Sequence, residues 1–161
     1  MIEKELLVDG FARNLRVIKM QSEGLTHADS LLQLPFRGNC LNWVLGHLAG
    51  SRDSVLDVLG EEPLLTEEEK SRYGYGSAPV TQDGEDIVPM ERLLDVLEKG
   101  QEKIAAGLAR LKPDDYRREV GQGERKTTLD HRLFFLYFHD AYHTGQTEIL
   151  RQLAGTDDGI I

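Results

Sequence analysis

Two histidines, His139 and His143, stand four residues apart, and a third, His47, lies far upstream of both. On a helix, side chains at i and i+4 project from one side, one turn above the other, so both imidazoles can reach a single cation. A zinc ion takes histidine nitrogens at ~2.0–2.1 Å, and a catalytic zinc usually keeps three protein ligands and one open position. The rest of that helix faces a core: Leu133, Leu136, Ile149, Leu150 and Leu153 mark an apolar stripe, with Phe135 beside it. Positions 139, 142, 143 and 146 fall on the same stripe and hold His139, Tyr142, His143 and Gln146. Burying a polar group without a partner costs on the order of 1–3 kcal/mol, so something must satisfy them. His47 is the best third ligand, since it lies between Val44 and Leu48 on the apolar side of another helix. His27 sits in a short segment with few anchors. His131 precedes His139 by two helical turns, ~12 Å along the axis, and Asp140 points about 100° around the helix from His139. On spacing alone, a set of core histidines satisfied by hydrogen bonds competes with a metal site.

The elements that must position these groups are helices. Residues 2–22 carry Leu7, Phe11, Leu15 and Ile18 at helical spacing, uninterrupted by proline, and Leu25–Leu32 has the look of a short helical turn closed by Pro35 and Gly38. A second long helix runs from Asn39, a plausible N-cap, to about Leu59, with Gly60 as its stop. Residues 61–88 combine the acidic run Glu67-Glu68-Glu69 with Tyr73-Gly74-Tyr75-Gly76, a connection long enough to carry function and to let the next helix run parallel to the last. Pro89 suits the first turn of a third helix reaching toward Pro113, and Thr127 or Thr128 can cap a fourth that ends near Gly155. No strand alternation or internal repeat is visible. The expected fold is all-α: a four-helix bundle with a long crossover connection between helices two and three, one domain over residues 1–161.

Bulk properties narrow the function. At 161 residues, 40% of them hydrophobic and 29% charged, the chain can bury one core. A net charge of -9 repels phosphate backbones, so no nucleic-acid partner is expected. The single cysteine, Cys40, excludes an internal disulfide or a thiolate cluster and reads as a small buried residue. Met1–Leu7 lacks a signal peptide's basic region and apolar run, and no stretch approaches the ~20 apolar residues of a membrane span. A cytoplasmic location is expected, with no membrane partner.

Two motifs carry a family resemblance. Asn42-Trp43-Val44-Leu45-Gly46-His47-Leu48-Ala49 resembles the second-helix motif of DinB/YfiT-like metalloenzymes, with an aromatic four positions before a histidine followed by leucine. His139-Asp140-Ala141-Tyr142-His143-Thr144-Gly145-Gln146 is similar to that family's last-helix motif. The resemblance spans nearly the whole chain and implies one divalent transition metal ion, nickel or zinc, on His47, His139 and His143. Tyr142 stands where many relatives have another histidine and Thr144 where many have arginine, which weakens any inference of a shared anionic substrate.

Three neutral imidazoles leave the ion its full charge, able to lower the pKa of a bound water or thiol. The resemblance implies a metal-dependent enzyme, a transferase of the low-molecular-weight-thiol S-transferase type acting on a small-molecule substrate, and a homodimer. Gln146 is expected to orient an imidazole or the open position, while Tyr142 and Trp43 line the pocket or pack. One alternative is a non-catalytic, metal-stabilised dimeric binding or stress-response module. Another is a metal-dependent hydrolase, weakened because Asp140 stands where a zinc protease would carry glutamate.

Overall fold

The computed structural model describes residues 3–123 and 126–156. Most of them are helical: α1 (Lys4–Ser22), α2 (His27–Ser30), α3 (Leu41–Leu59), α4 (Glu67–Arg72), α5 (Met90–Arg110) and α6 (Leu129–Leu153). No described helix is long and apolar enough to cross a membrane.

Local chemistry explains where these elements start and stop. Thr26 and Asp29 close a reciprocal capping box on α2, and Thr66 and Glu69 do the same for α4. The acidic run Glu67-Glu68-Glu69 therefore occupies a first helical turn, where negative charge suits the helix dipole. The cap of α3 is Cys40 rather than Asn39, with no side-chain bond to the helix; the thiol instead donates to the Val80 carbonyl at 3.4 Å, and burial raises its pKa. Gly60 ends α3 at φ 76°, in the left-handed region that costs glycine little. Pro89 immediately precedes α5 rather than lying in its first turn. Thr128 precedes α6, as expected, but its hydroxyl turns to Asp130 instead of capping the backbone. Ahead of α6, a 3-10 turn over Pro113–Arg117 leads into a two-residue antiparallel ladder, β1 (Glu119–Val120) with β2 (Thr127–Thr128), which the glycine-rich sequence did not suggest.

Each long helix lies against two others: α3 against α5 and α6, and α1 against α5 and α6. Cross-contacts give their directions. Asn42 bonds the Val88 carbonyl and Arg52 the Leu97 carbonyl, so α3 and α5 run the same way. Asn14 with Asp140 and Arg151 with the Gln21 carbonyl make α1 and α6 parallel too. His47 meets His143 while Ser51 meets His139, so α3 and α6 are antiparallel.

The apolar interior is divided in two. One cluster holds Leu45, Leu48, Tyr73, Leu93 and Leu97; the other holds Phe11, Leu56, Ile104, Leu108, Leu133 and Leu136. Between them Arg52, 1% exposed, forms a two-pronged ion pair with the fully buried Asp140 (2.9 and 3.2 Å). The same guanidinium donates to the Leu97 carbonyl of α5 (3.2 Å) and the Phe11 carbonyl of α1 (3.1 Å), and Asn14 donates to Asp140 (2.9 Å). Removing one partner of such a pair strands the other charge out of water. Arg52→Met is therefore expected to lower the unfolding free energy by about 3–5 kcal/mol, measured by urea denaturation followed by circular dichroism. A loss below ~1 kcal/mol would mean that water reaches Asp140.

Candidate metal centre

α3 and α6 bring His47, His139 and His143 together. Their ring centroids are 4.5–4.9 Å apart, and one ligand-capable nitrogen from each lies within 4.8 Å of the others. His47 Nε2 and His139 Nε2 approach to 3.1 Å. Nitrogens bound at ~2.0–2.1 Å to one ion stand about 2.9–3.4 Å apart in octahedral or tetrahedral geometry, so this separation suits a shared ion.

Each ring is held from behind at its other nitrogen. His47 Nδ1 donates to the Tyr73 carbonyl (2.8 Å), His143 Nδ1 meets Gln146 Oε1 (2.8 Å), and His139 Nδ1 meets Ser51 Oγ (3.1 Å). With protons at Nδ1, the Nε2 lone pairs are the ones turned toward each other. Burial, reinforced by the neighbouring imidazoles, lowers the His139 pKa to about 4, and burial also lowers that of His143. Both are neutral at pH 7, the state a metal ligand requires. The donor set therefore fits a divalent transition metal: nitrogen-only and already oriented.

Trp43 stacks on His47 with centroids 4.7 Å apart and planes at 15°, and its indole donates to Ser77 Oγ at 3.0 Å. Gln146 lines the cleft beside His143. Tyr142 departs from expectation: it is 60% exposed, not core-facing, and sets its ring perpendicular to His143 at 5.1 Å. The stripe rotates because α6 is covered by α1 and α3 on one side only, which leaves Phe135, Phe138 and Ile149 exposed as well. Thr144 is buried and donates to the Asp140 carbonyl, so position 144 does not face the cleft beside the histidines. His27 caps α5 instead, accepting from Met90 N–H (3.2 Å) and bonding Asp83 (3.3 Å), while His131 is exposed away from the triad.

Sequence reasoning missed Ser51 and Tyr73. Ser51 had a signal, since it follows His47 by four residues and shares its face. Tyr73 acts through a backbone oxygen, which no residue type announces. Its buried side chain anchors that oxygen: the hydroxyl donates to Asn42 Oδ1 and accepts from Val88 N–H, both at 2.9 Å. The segment after α4 is therefore part of the histidine scaffold. Deleting the part of the connection that holds Tyr73 would take away the acceptor of His47.

The three imidazoles open onto a largely apolar cleft of about 1110 Å³, walled by Trp43, Phe138, Tyr142 and Ile149. A smaller cavity of about 310 Å³ reaches His47 and His139 from the other side, past Gly50, Ser54 and Lys70. Among the described residues no fourth histidine, cysteine or carboxylate joins the cluster.

A mostly helical protein with three converging imidazoles at the wall of an apolar cleft defines the class. The model of the DinB superfamily matches residues 22–147, and the chain belongs to that superfamily. Among solved structures, a conserved protein from Enterococcus faecalis aligns with a TM-score of 0.73 at 18% identity, over 97% of this chain and 99% of that one. A DinB-like protein from Bacillus cereus aligns with a TM-score of 0.66 at 19% identity, over 98% and 97%. At these identities the likeness is one of fold. Comparison with curated proteins gives no match.

Gly46 offers a probe of the scaffold. A Cβ at this position would come within 2.3 Å of the ring of Tyr73, the residue whose carbonyl orients His47. Gly46→Ala should cost about 1–3 kcal/mol, as overpacking typically does, read as a lowered thermal midpoint. An unchanged midpoint would show that the ring moves aside freely.

Proposed function

We propose that His47, His139 and His143 bind one divalent transition metal, nickel or zinc, and that the chain is a metal-dependent enzyme acting on a small molecule in the adjoining cleft. The observation that carries this reading is the convergence of one ligand-capable nitrogen from each of the three rings, each ring held from behind, with the open side toward a cavity. In this reading the long helices form a four-helix bundle with a crossover between α3 and α5, and residues 1–161 make one domain. The parallel course of α3 and α5 supports the crossover.

A divalent ion here would supply Lewis acidity at its open position, favouring a thiolate over a thiol near neutral pH. The chain's own groups do the rest: the Tyr73 carbonyl, Ser51 and Gln146 fix the imidazoles, and Trp43 shields His47. The apolar walls of the cleft offer contact to the apolar part of a substrate. The resemblance makes transfer to or from a low-molecular-weight thiol the reaction of choice. It also makes a homodimer the working form, and the cytoplasm is its proposed location. The hydrolase reading loses support because Asp140 is tied to Arg52 and fully buried, out of reach of an attacking water. A purely structural site loses support because, among the described residues, three protein ligands converge and no fourth joins them.

The first test is elemental analysis of protein purified without a histidine tag, beside His143→Ala. The parent should carry about one nickel or zinc per chain, as one three-histidine site holds one ion, and the variant should lose it while remaining helical. A parent that stays metal-free after nickel and zinc are supplied would make the triad a hydrogen-bonded core cluster. If metal is present, titrating the cobalt-substituted protein with 2-mercaptoethanol should raise a saturable near-ultraviolet band, and its absence would count against thiol chemistry. Gln146→Leu should weaken metal binding about 10–100-fold in chelator competition, because His143 loses its orienting acceptor. Equal affinity would reduce Gln146 to a bystander.

A further inference from the structure

Arg132 lies seven residues before His139, two turns along the same face of α6 and roughly 10 Å below it. It lines both the large cleft and the smaller cavity, at the point where the two meet. Of the other basic groups that line these cavities, Lys70 is paired with Glu67, and Arg37, at the large cleft, is exposed to solvent. Arg132 has no hydrogen bond or ion pair among the described residues, and its guanidinium rests over the Phe135 ring, 5.6 Å from the centroid. Other arginines without such a partner, Arg13, Arg16, Arg37 and Arg117, are exposed to solvent, whereas Arg132 is half-buried. A guanidinium drawn out of water against an aromatic wall, with its donors unused, is the arrangement that recognises a planar or tetrahedral oxyanion. In a chain of net charge -9 its retention beside the cleft is all the more specific.

We infer that the cleft takes an amphipathic anion: an apolar body against Phe138, Tyr142 and Ile149, and a carboxylate or phosphate held by Arg132, with the reacting end at the triad. This rests on reading the cleft as the substrate chamber. The shape supports it, since the exposed aromatic wall of α6 runs from Phe135 beside Arg132 to Ile149 past the histidines. It also relocates the anion site. Position 144, where relatives' arginine suggested one, is buried in this chain, and Arg132 supplies the charge from about three turns nearer the start of α6.

Calorimetric titration with octanoate, octyl phosphate and octan-1-ol tests the inference, on protein as purified and after chelator treatment. At least one anion should bind about tenfold more tightly than the alcohol in both preparations, the scale of one charge-assisted hydrogen-bond pair. Octanoate and octyl phosphate compared directly identify which oxyanion Arg132 prefers. Arg132→Gln should abolish the preference and leave octan-1-ol binding unchanged, and Arg132→Lys should restore part of it. Three results would overturn the inference: no preference in the parent, a preference that survives in chelator-treated Arg132→Gln, or one that disappears from the parent when metal is removed. Because the chelator-treated arm needs no ion, a metal-free parent would defeat the metal reading without touching this one.

Discussion

The ion pair between Arg52 and Asp140 is the constraint on which the rest of this molecule depends. It lies where the two apolar clusters stop, and through one guanidinium it reaches a carboxylate on α6 and backbone carbonyls on α5 and α1. An apolar side chain at position 52 could fill the space, but it would not fix the sliding of four helices against each other. Hydrogen bonds with directional partners do, because a shift of one residue would leave buried donors unpaired. The pair's net contribution to stability is smaller than its contacts suggest, since both charges were desolvated to form it. Its larger effect is on register.

Register is what the histidines need. Asp140 follows His139 directly and points about 100° around the helix, so fixing Asp140 inward turns His139 toward the cleft side. Arg52 stands five residues after His47 on α3, and antiparallel pairing then sets His47 across from both histidines of α6. The residue discounted as a ligand because of its direction is thus the residue that aims the ligand. A second constraint closes the site from the side of the long connection. The Tyr73 hydroxyl bridges Asn42 and Val88, its ring occupies the space left by Gly46, and its carbonyl receives His47.

These layers were unequally legible in the sequence. The long helices were readable because apolar spacing and Gly60 punctuate them, and the i, i+4 histidines stood out against an apolar stripe. Hydrophobic spacing gave the wrong rotation for Tyr142 and Ile149, because it assumes that every apolar residue seeks the core, whereas here several form the wall of an open cleft. The β1–β2 ladder was hidden by its length, since two residues per strand leave no alternation to detect. The supporting groups were hidden for another reason. Arg52 and Asp140 look like surface charges until their partners are known, and partners separated by 88 residues leave no local pattern.

The exposed wall of α6 follows from the same division of labour. Phe135, Phe138, Tyr142 and Ile149 keep roughly half their surface in solvent, an arrangement that favours association and lowers solubility unless something offsets it. The net charge of -9 adds a long-range repulsion between molecules that opposes indiscriminate clustering. Rigidity would not have required this exposure, since the polar layer and the lower apolar cluster already tie the four long helices together. The wall is therefore best understood through the cleft. Aromatic surface that cannot withdraw into the core stays available to a ligand's apolar part, while the fixed half of the helix holds the imidazoles still. A site built this way separates the groups that must not move from the surface that must remain open, and Arg52 with Asp140 is the boundary between them.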